Sequence, residues 1–563
     1  MRVTNKMADN YNVYNLNKNK ALLDKLNTQM STKKKYSEPM DNPVLAARSL
    51  HFRADLSEID QFLGKNVTDA ISWTDTTQTA IDTGKDILRS LKSEYTSAAN
   101  GTNKNEDRWT YYNNMMNLVN EFYAVGNTTN ENRYVFTGAR TVDSFTFNEK
   151  NFDDRVKDIQ AYDNKKTFTD THLGTYKYVD IKEDFHLKDV ESYSFTQKDD
   201  QKSTGITLED IAGVNDIKTE TAANSVANET NVKNVEAYRL RLSYENLDTD
   251  QGFDYKYYDE KGVLQHKTRT SSELKISVYT SDDDASPATY SVKMIENDYE
   301  ISSLGKYDIY LNTTTGNLIF GEDFQKDLVP VLDNGGHVSI SYNKSKWEDG
   351  DVKPEHYFDC VDVGIGNDVD SETNKLLTIV YDDHEQSIEY NVGDHQTIKI
   401  NTNADRVFSL DAMRDLNEIR DALEAVDAAE EKVNKLKEMH EDSLRYSGDQ
   451  LTAIGYLLNA AEKEFKYATE KVDKLYSNGM TKSQDYFDTA NLAGTDMGTT
   501  VKRLTIIRNR LTENQTTITA QASDNENIDI STTAVDVNSA TLSYGAALQV
   551  TGKISQQSLV NFL

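Results

Sequence analysis

Residues 63–98 read LGKNVTDAISWTDTTQTAIDTGKDILRSLKSEYTSA, and small or apolar members recur there at alternating spacings of four and three. The row is Leu63, Val67, Ala70, Thr74, Thr77, Ile81, Gly84, Leu88, Leu91, Tyr95 and Ala98. A second row runs through 451–475 as Leu451, Ile454, Leu458, Ala461, Phe465, Ala468, Val472 and Leu475. This repeat nearly matches the 3.6-residue helical turn, so each row keeps one stripe facing a neighbouring helix. At 1.5 Å per residue the first would be roughly 54 Å long. The rows sit towards opposite ends of the chain, with strand-like sequence between them. The spacing therefore predicts an α+β multidomain protein: a long helical bundle or coiled coil formed by both termini, carrying a mainly β insertion.

Five prolines punctuate the chain. Pro39 and Pro43 bracket Met40-Asp41-Asn42, a break between a first helix near 4–32 and a long helix from about 45 to 99. Asn100-Gly101 ends that helix. A third is expected over 106–125, with Trp109, Tyr112, Met116, Val119 and Tyr123 on one face. From 142 to 400 the period falls to two, as in Tyr238-Arg239-Leu240-Arg241-Leu242-Ser243-Tyr244, the pattern of half-buried strands. A weaker stretch at 198–232 suggests a loop or a division into two lobes. Helical spacing returns with Ala412, Leu416, Ile419, Leu423 and Val426. Asn478-Gly479 is read as closing the second row, with further helices over 497–520 and 532–560.

These boundaries divide the chain three ways. Segments 1–42 and 521–563 form a terminal helical assembly domain, 43–141 and 402–520 a helical bundle, and 142–401 a variable, mainly β insertion. In the bundle, 45–99 and 106–125 should pack on 405–520, and Val142 and Asn403 should lie close together.

Composition narrows the function. A formal charge of −31 disfavours nucleic acid and anionic membranes as partners. One cysteine, Cys360, excludes a disulfide framework. No apolar run reaches the roughly 20 residues of a membrane span, and the first residues lack the apolar core of a secretory signal. HExxH, a P-loop and GxSxG are absent from the sequence. Gly364-Ile365-Gly366-Asn367 is half a dinucleotide loop. Asp282-Asp283-Asp284 lacks the ordered spacing of a calcium loop and reads as a solvated hairpin tip. Cys360 reads as a small buried hydrophobe despite His356 nearby. Lys33-Lys34-Lys35 reads as solvated charge complementing a helix C-terminus. Catalytic, cofactor and metal residues are therefore expected to be none, and the chain not to be an enzyme.

Chemistry points instead to packing. The outermost helices carry apolar faces with no adjoining sequence to cover them, and an isolated helix of this length is marginal in water. The candidate assembly residues are Met7, Tyr11, Tyr14, Leu22 and Leu26 at one end. At the other they are Val537, Ala540, Tyr544, Ala547 and Ile554.

The same ends carry a resemblance. Gln29-Met30-Ser31-Thr32-Lys33 followed by Pro39-Met40-Asp41-Asn42-Pro43 resembles the bacterial flagellin family's N-terminal pattern, with Thr32 and Asn42 replacing its Gly and second Asp. Asn525-Glu526-Asn527-Ile528-Asp529, Tyr544-Gly545-Ala546-Ala547-Leu548 and Ile554-Ser555-Gln556-Gln557-Ser558-Leu559 resemble its closing helix. Gly498 to Leu504, then Leu511, is similar to its return helix. Within that family, Asn132-Arg133-Tyr134-Val135-Phe136-Thr137-Gly138 points to a hook–filament junction subunit. The resemblance implies export through the flagellum's type III channel without a cleaved signal, helped by a small chaperone, and an extracellular place in the flagellum. It implies a ring of copies between a hook-side junction protein and flagellin. The alternatives are a flagellin filament subunit, or a surface-displayed binding module or enzyme in 142–401.

Overall fold

The computed structural model describes residues 5–100, 104–147, 176–198, 232–258, 263–281, 283–301, 303–363, 379–381, 386–446 and 448–560. Its helices are α1 Asn5–Thr32, α2 Pro43–Gln61, α3 Val67–Ala98, α4 Asn105–Gly126, α5 Glu322–Asp333, α6 Asp411–Glu441, α7 Gly448–Glu526 and α8 Ile530–Val560. Its strands open with β1 Thr129–Asn130, β2 Arg133–Tyr134, β3 Tyr178–Phe185, β4 Glu191–Lys198, β5 Val232–Arg241, β6 Phe253–Tyr258, β7 Leu264–Arg269 and β8 Lys275–Tyr279. They continue with β9 Ala288–Ile295, β10 Ile309–Asn312, β11 Asn317–Phe320, β12 His337–Lys344, β13 Cys360–Asp362, β14 Ile379–Tyr381, β15 Glu389–Gly393 and β16 Gln396–Lys399. The α+β expectation, helical ends around a mainly β middle, is met.

Two compact units divide the chain. The first comprises Met1–Ser72, Glu389–Ile398 and Thr500–Leu563; the second comprises Trp73–Ile388 and Lys399–Thr499.

In the first unit, α1 lies along α8. Helix α2 is tied to α7 by Gln515 Nε2 donating to Asp60 (2.6 Å) and Asn525 Nδ2 donating to the Leu45 carbonyl (2.9 Å). The long helix expected over 45–99 is two helices joined by a π-helical turn, Phe62–Asn66. Such a turn inserts an extra residue and marks a local demand on the backbone. Here Asn66 reaches out to the Asn391 carbonyl of the β15–β16 hairpin (2.7 Å), whose Gln396 accepts from Arg510 (2.9 Å).

In the second unit the first sequence row is core: Thr74, Thr77, Ile81, Leu88, Leu91, Tyr95 and Ala98 are all buried, with Trp73 beside them. Gly84 faces the Phe122 ring of α4, and Gly494 of α7 faces Ile81. Arg108 pairs with Asp473 (2.6 Å) and Trp109 donates to Asp427 (2.9 Å), so α4 touches both α7 and α6. Phe122, Phe136 and Phe145 surround Phe408, with ring centroids 4.9 to 5.2 Å from it. Beside them Ala404 N donates to the Phe136 carbonyl (3.0 Å), so the chain enters and leaves the β region at one place.

The β region is organised by one ten-stranded sheet, in the order β14-β13-β3-β12-β8-β9-β10-β11-β5-β4. Neighbours are antiparallel except the β9–β10 pair. Strands β6 and β7 pair with each other apart from that sheet, and the stretch 198–232, read as a loop or a division into two lobes, lies almost wholly outside the described residues. The alternation in Tyr238–Tyr244 misleads, because Leu240 and Leu242 are buried and so are Arg239 and Arg241.

A second departure concerns Gly479. It does not end a helix, because α7 runs unbroken for 79 residues from Gly448 to Glu526 and absorbs the helix expected over 497–520. The residue is glycine for space: a Cβ at 479 would overlap the ring of Tyr95, itself 1% exposed. Glycine in a helix interior normally costs about 1 kcal/mol against alanine, so close packing outweighs propensity here. Gly479→Val is accordingly expected to destabilise the second unit by about 1–3 kcal/mol through overpacking. Tryptophan fluorescence in urea would measure this, since Trp73, Trp109 and Trp347 all lie in that unit. An unchanged midpoint would mean the site has room.

Candidate assembly surface

Helices α1 and α8 run antiparallel and cover one another in part. Asn19, Leu22 and Leu26 of α1 with Asp536, Ser539, Ala540 and Ser543 of α8 line a groove of about 300 Å³. The apolar faces of the outer helices thus have a cover that sequence did not reveal: each other. The sequence-derived residues separate accordingly. Met7, Tyr11 and Tyr14 project into solvent, the first two 66% exposed, and Leu22 is exposed at the groove while Leu26 is half-buried. On α8, Ala540 is only 7% exposed, and Val537, Tyr544 and Ala547 are half-buried. Ile554 lies within α8, its side chain outside the described residues.

Helix α8 carries a second row that the sequence reading missed. Val535, Leu542 and Val550 follow one another at spacings of seven and eight, and all three face solvent, Leu542 at 75% exposure. The signal was available. Between Asp536 and Lys553 the chain has no charged residue, which is unusual for an exposed surface in a protein of charge −31. The regular three–four row drew attention because it is the one the chain satisfies internally.

Charge reinforces the contrast. The first unit contains 16 Lys and Arg against 15 Asp and Glu, the second 46 against 78. The net negative charge sits wholly in the second unit, and the unit with the unpartnered apolar rows is close to neutral.

The terminal pair meets the rest of its unit at a joint. Glu526, at the end of α7, is buried and accepts from Lys34 Nζ (2.8 Å), Arg53 Nε (3.2 Å), Arg53 Nη2 (3.0 Å) and Ser49 Oγ. Backbone bonds add a short antiparallel bridge: Lys35 N to the Glu526 carbonyl (2.7 Å) and Ile528 N to the Lys33 carbonyl (3.2 Å). Lys33 adopts a left-handed φ of 58° to permit it. The basic run at 33–35 is therefore not merely solvated charge, as Lys34 and Lys35 are bonded to the end of α7. Burial opposes the charge on Glu526, but bonds from Lys34, Ser49 and Arg53 outweigh it and hold the carboxyl at about 2. The motif's Asp41 braces the same turn, accepting from Ser37 N (3.0 Å) and Glu38 N (3.1 Å), while Asn42 caps α2 through Leu45 N (3.2 Å).

In the second unit a buried ionic cluster docks sheet on bundle. Arg239 forks onto Glu418 of α6 (2.9 and 2.8 Å) and onto Glu191 of β4 (3.0 and 2.8 Å). Arg241 reaches Asp415 (2.6 Å) and Asp411 (3.0 Å), and Lys482 of α7 bridges Asp415 (3.0 Å) and Glu191 (2.8 Å). Asp411, Asp415 and Glu418 share one helix face, and Arg239 and Arg241 one strand face. Burial disfavours the charge on Glu191, yet Arg239, Arg241 and Lys482 together hold it at about 2.

Glu183 of β3 has the opposite environment. Its buried carboxyl accepts from Ser243 N (3.0 Å), Ser243 Oγ (2.6 Å) and Tyr342 Oη (2.9 Å), all neutral donors. Burial pushes it up to about 7 against those bonds. A raised carboxyl stabilises the fold fully below its unfolded value near 4.5, and that contribution is lost as pH rises through about 7. Glu183→Gln should therefore leave the thermal midpoint unchanged at pH 5 and raise it at pH 8.5. At 1.36 kcal/mol per unit of pKa the gain would be up to about 3 kcal/mol. Equal shifts at both pH values would refute the titration.

The residues weighed for chemistry are structural. The Cys360 thiol is buried, which pushes it up; burial and the Lys353 cation push His356 down to about 3. Asp284 braces its own turn, accepting from Thr280 N (3.1 Å) and Ser286 N (3.0 Å). Asp282 and 364–367 lie outside the described residues. Among the described residues there is no group of three or more His, Cys, Asp or Glu arranged for a metal, and no helix long and apolar enough to cross a membrane.

Comparison with known proteins bears on the N-terminal helices. Residues 3–141 match the family profile described as the bacterial flagellin N-terminal helical region, so this part of the chain is similar to that region. Over 144 residues the chain is 24% identical to flagellar hook-associated protein 3 of Salmonella typhimurium, a stretch covering 25% of this chain and 44% of that protein. The chain thus spans less than half the length of the curated relative. Among solved structures, flagellar hook associated protein-3 of Legionella pneumophila aligns at 9% identity and TM-score 0.26 over 84% of this chain and 97% of that one. Xanthomonas campestris FlgL aligns at 9% identity and TM-score 0.20 over 80% and 99%.

Proposed function

We propose that this chain is a structural subunit of the bacterial flagellum, forming the junction between hook and flagellin filament. Copies pack side by side in a ring, bound on one side by the hook-side junction protein and on the other by flagellin. The observation that carries this reading is the pair of solvent-facing apolar rows, Met7-Tyr11-Tyr14 and Val535-Leu542-Val550, on a near-neutral unit. A monomer leaves such rows wet, and fully burying one large side chain is worth about 1.5–3 kcal/mol. Near neutrality lets copies of this unit approach closely, while the acidic second unit keeps the assembly soluble. Similarity over 144 residues to hook-associated protein 3 supports the same assignment. The subunit works by packing rather than catalysis, is exported to the flagellum outside the cell, and is escorted beforehand by an export chaperone that covers α8.

Deletion of the gene in its motile source strain tests this. The expected phenotype is intact hooks, no filaments and flagellin released into the medium. Normal filaments would overturn the proposal. Loss of filaments without released flagellin would point to the filament subunit itself.

A further inference from the structure

We propose that Glu526 is the catch of a hinge, fixing the direction in which the terminal helix pair α1/α8 leaves the rest of its unit. Among the described residues, neither chain passage at this level is helical. Helix α1 ends at Thr32 and α2 begins at Pro43, while α7 ends at Glu526 and α8 begins at Ile530. Both chain crossings are thus non-helical and lie side by side, joined by the Lys34–Asn527 bridge. Two adjacent non-helical crossings make a hinge unless something closes it.

One carboxylate does so. Its donors come from the turn after α1 (Lys34) and from one face of α2, where Ser49 and Arg53 are four residues apart. Asn527 Oδ1 accepts from the same lysine at 2.8 Å, and Lys35 Nζ bonds the Asp524 carbonyl. Four donor atoms from three side chains converging on one buried acceptor define a single geometry, as charge-assisted bonds do when several share a centre. Glu526 acts as a positioning residue. Through bonds made within one subunit it sets whether Tyr14 and Leu542 are presented at the angle a ring requires.

This inference rests on the assembly reading, so its test is a distance within the monomer. The full chain, with Cys360→Ala, carries spin labels at Ala21→Cys on α1 and Ala54→Cys on α2, both exposed positions. Pulsed electron resonance should give one narrow distance distribution. Adding Glu526→Gln should broaden it severalfold while helicity by circular dichroism is retained. The charge exchange Glu526→Arg with Arg53→Glu should narrow it again. A Glu526→Gln distribution as narrow as the parent's would overturn the proposal. Should that variant lose helicity, Arg53→Gln, which removes two donors from an exposed side chain, must broaden the same distance or the proposal fails. The distance is read without any assembly. Failure of the junction role would leave it untouched, and failure of the catch would leave the gene-deletion phenotype untouched.

Discussion

Arg239→Met is expected to lower the stability of the second unit by about 3–5 kcal/mol, the usual loss when one partner is removed from a buried ion pair. The guanidinium is buried and neutralises two carboxylates at once, Glu418 in a two-pronged pairing and Glu191 beside it. Methionine fills much of the volume, so the loss is electrostatic: two carboxylates stay in a poorly solvated place with less compensation. Lysine is no substitute, because one ammonium cannot reproduce the planar fork. The urea midpoint by tryptophan fluorescence should fall by at least about 1 M at a slope near 3 kcal/mol/M. Replacing Glu418 and Glu191 by leucine as well should recover much of it, since an apolar cluster can match a buried ionic one. No recovery would mean that Arg239 contributes packing rather than charge balance. The cluster also has a pH signature. Glu191, held at about 2, contributes stability that is complete above about 4.5 and lost as pH falls towards 2. Acid should therefore loosen sheet from bundle, and Arg239→Met should flatten that dependence.

That cluster marks the limit of reading a sequence by hydrophobic period. Leu88 and Tyr95 were legible as core because apolar side chains at helical spacing have one place to go. Arg239 and Arg241 looked like the solvent side of a half-buried strand, and only their partners on α6, some 170 residues later, make their burial tolerable. Nothing local records that pairing. Gly479 failed for a related reason: glycine after asparagine resembles a helix end, and only the Tyr95 ring across the bundle explains why the helix continues. The joint was half legible. The Asp41-Asn42-Pro43 turn and helix start could be placed by their local chemistry, whereas the lysine run was read as solvated because Glu526 lies almost 500 residues away. The terminal helices were located well, but their outward side was misjudged on α8, where the regular row faces α1.

This distinction sets up the most discriminating result, the contrast between Leu542→Asp and Ala540→Asp. The two positions are two residues apart on one helix, 75% and 7% exposed. Aspartate at 542 enters water in the monomer, so helicity and the thermal midpoint should stay within about 0.5 kcal/mol of the parent, as surface changes do. In a ring the same carboxylate would be stripped of water against an apolar neighbour, at several kcal/mol per contact. Each 1.4 kcal/mol is tenfold in affinity, so assembly should weaken by at least about 1000-fold, and cells carrying the variant should lack filaments. Aspartate at 540 instead enters the groove beside Leu22 and Leu26, separating α1 from α8 within the monomer and lowering helicity before assembly is at issue. If Leu542→Asp leaves filaments intact, the outward row of α8 is not an interface and the Tyr11–Tyr14 face of α1 must carry assembly alone. If it unfolds the monomer, the row is internal and the separation of the two faces is wrong.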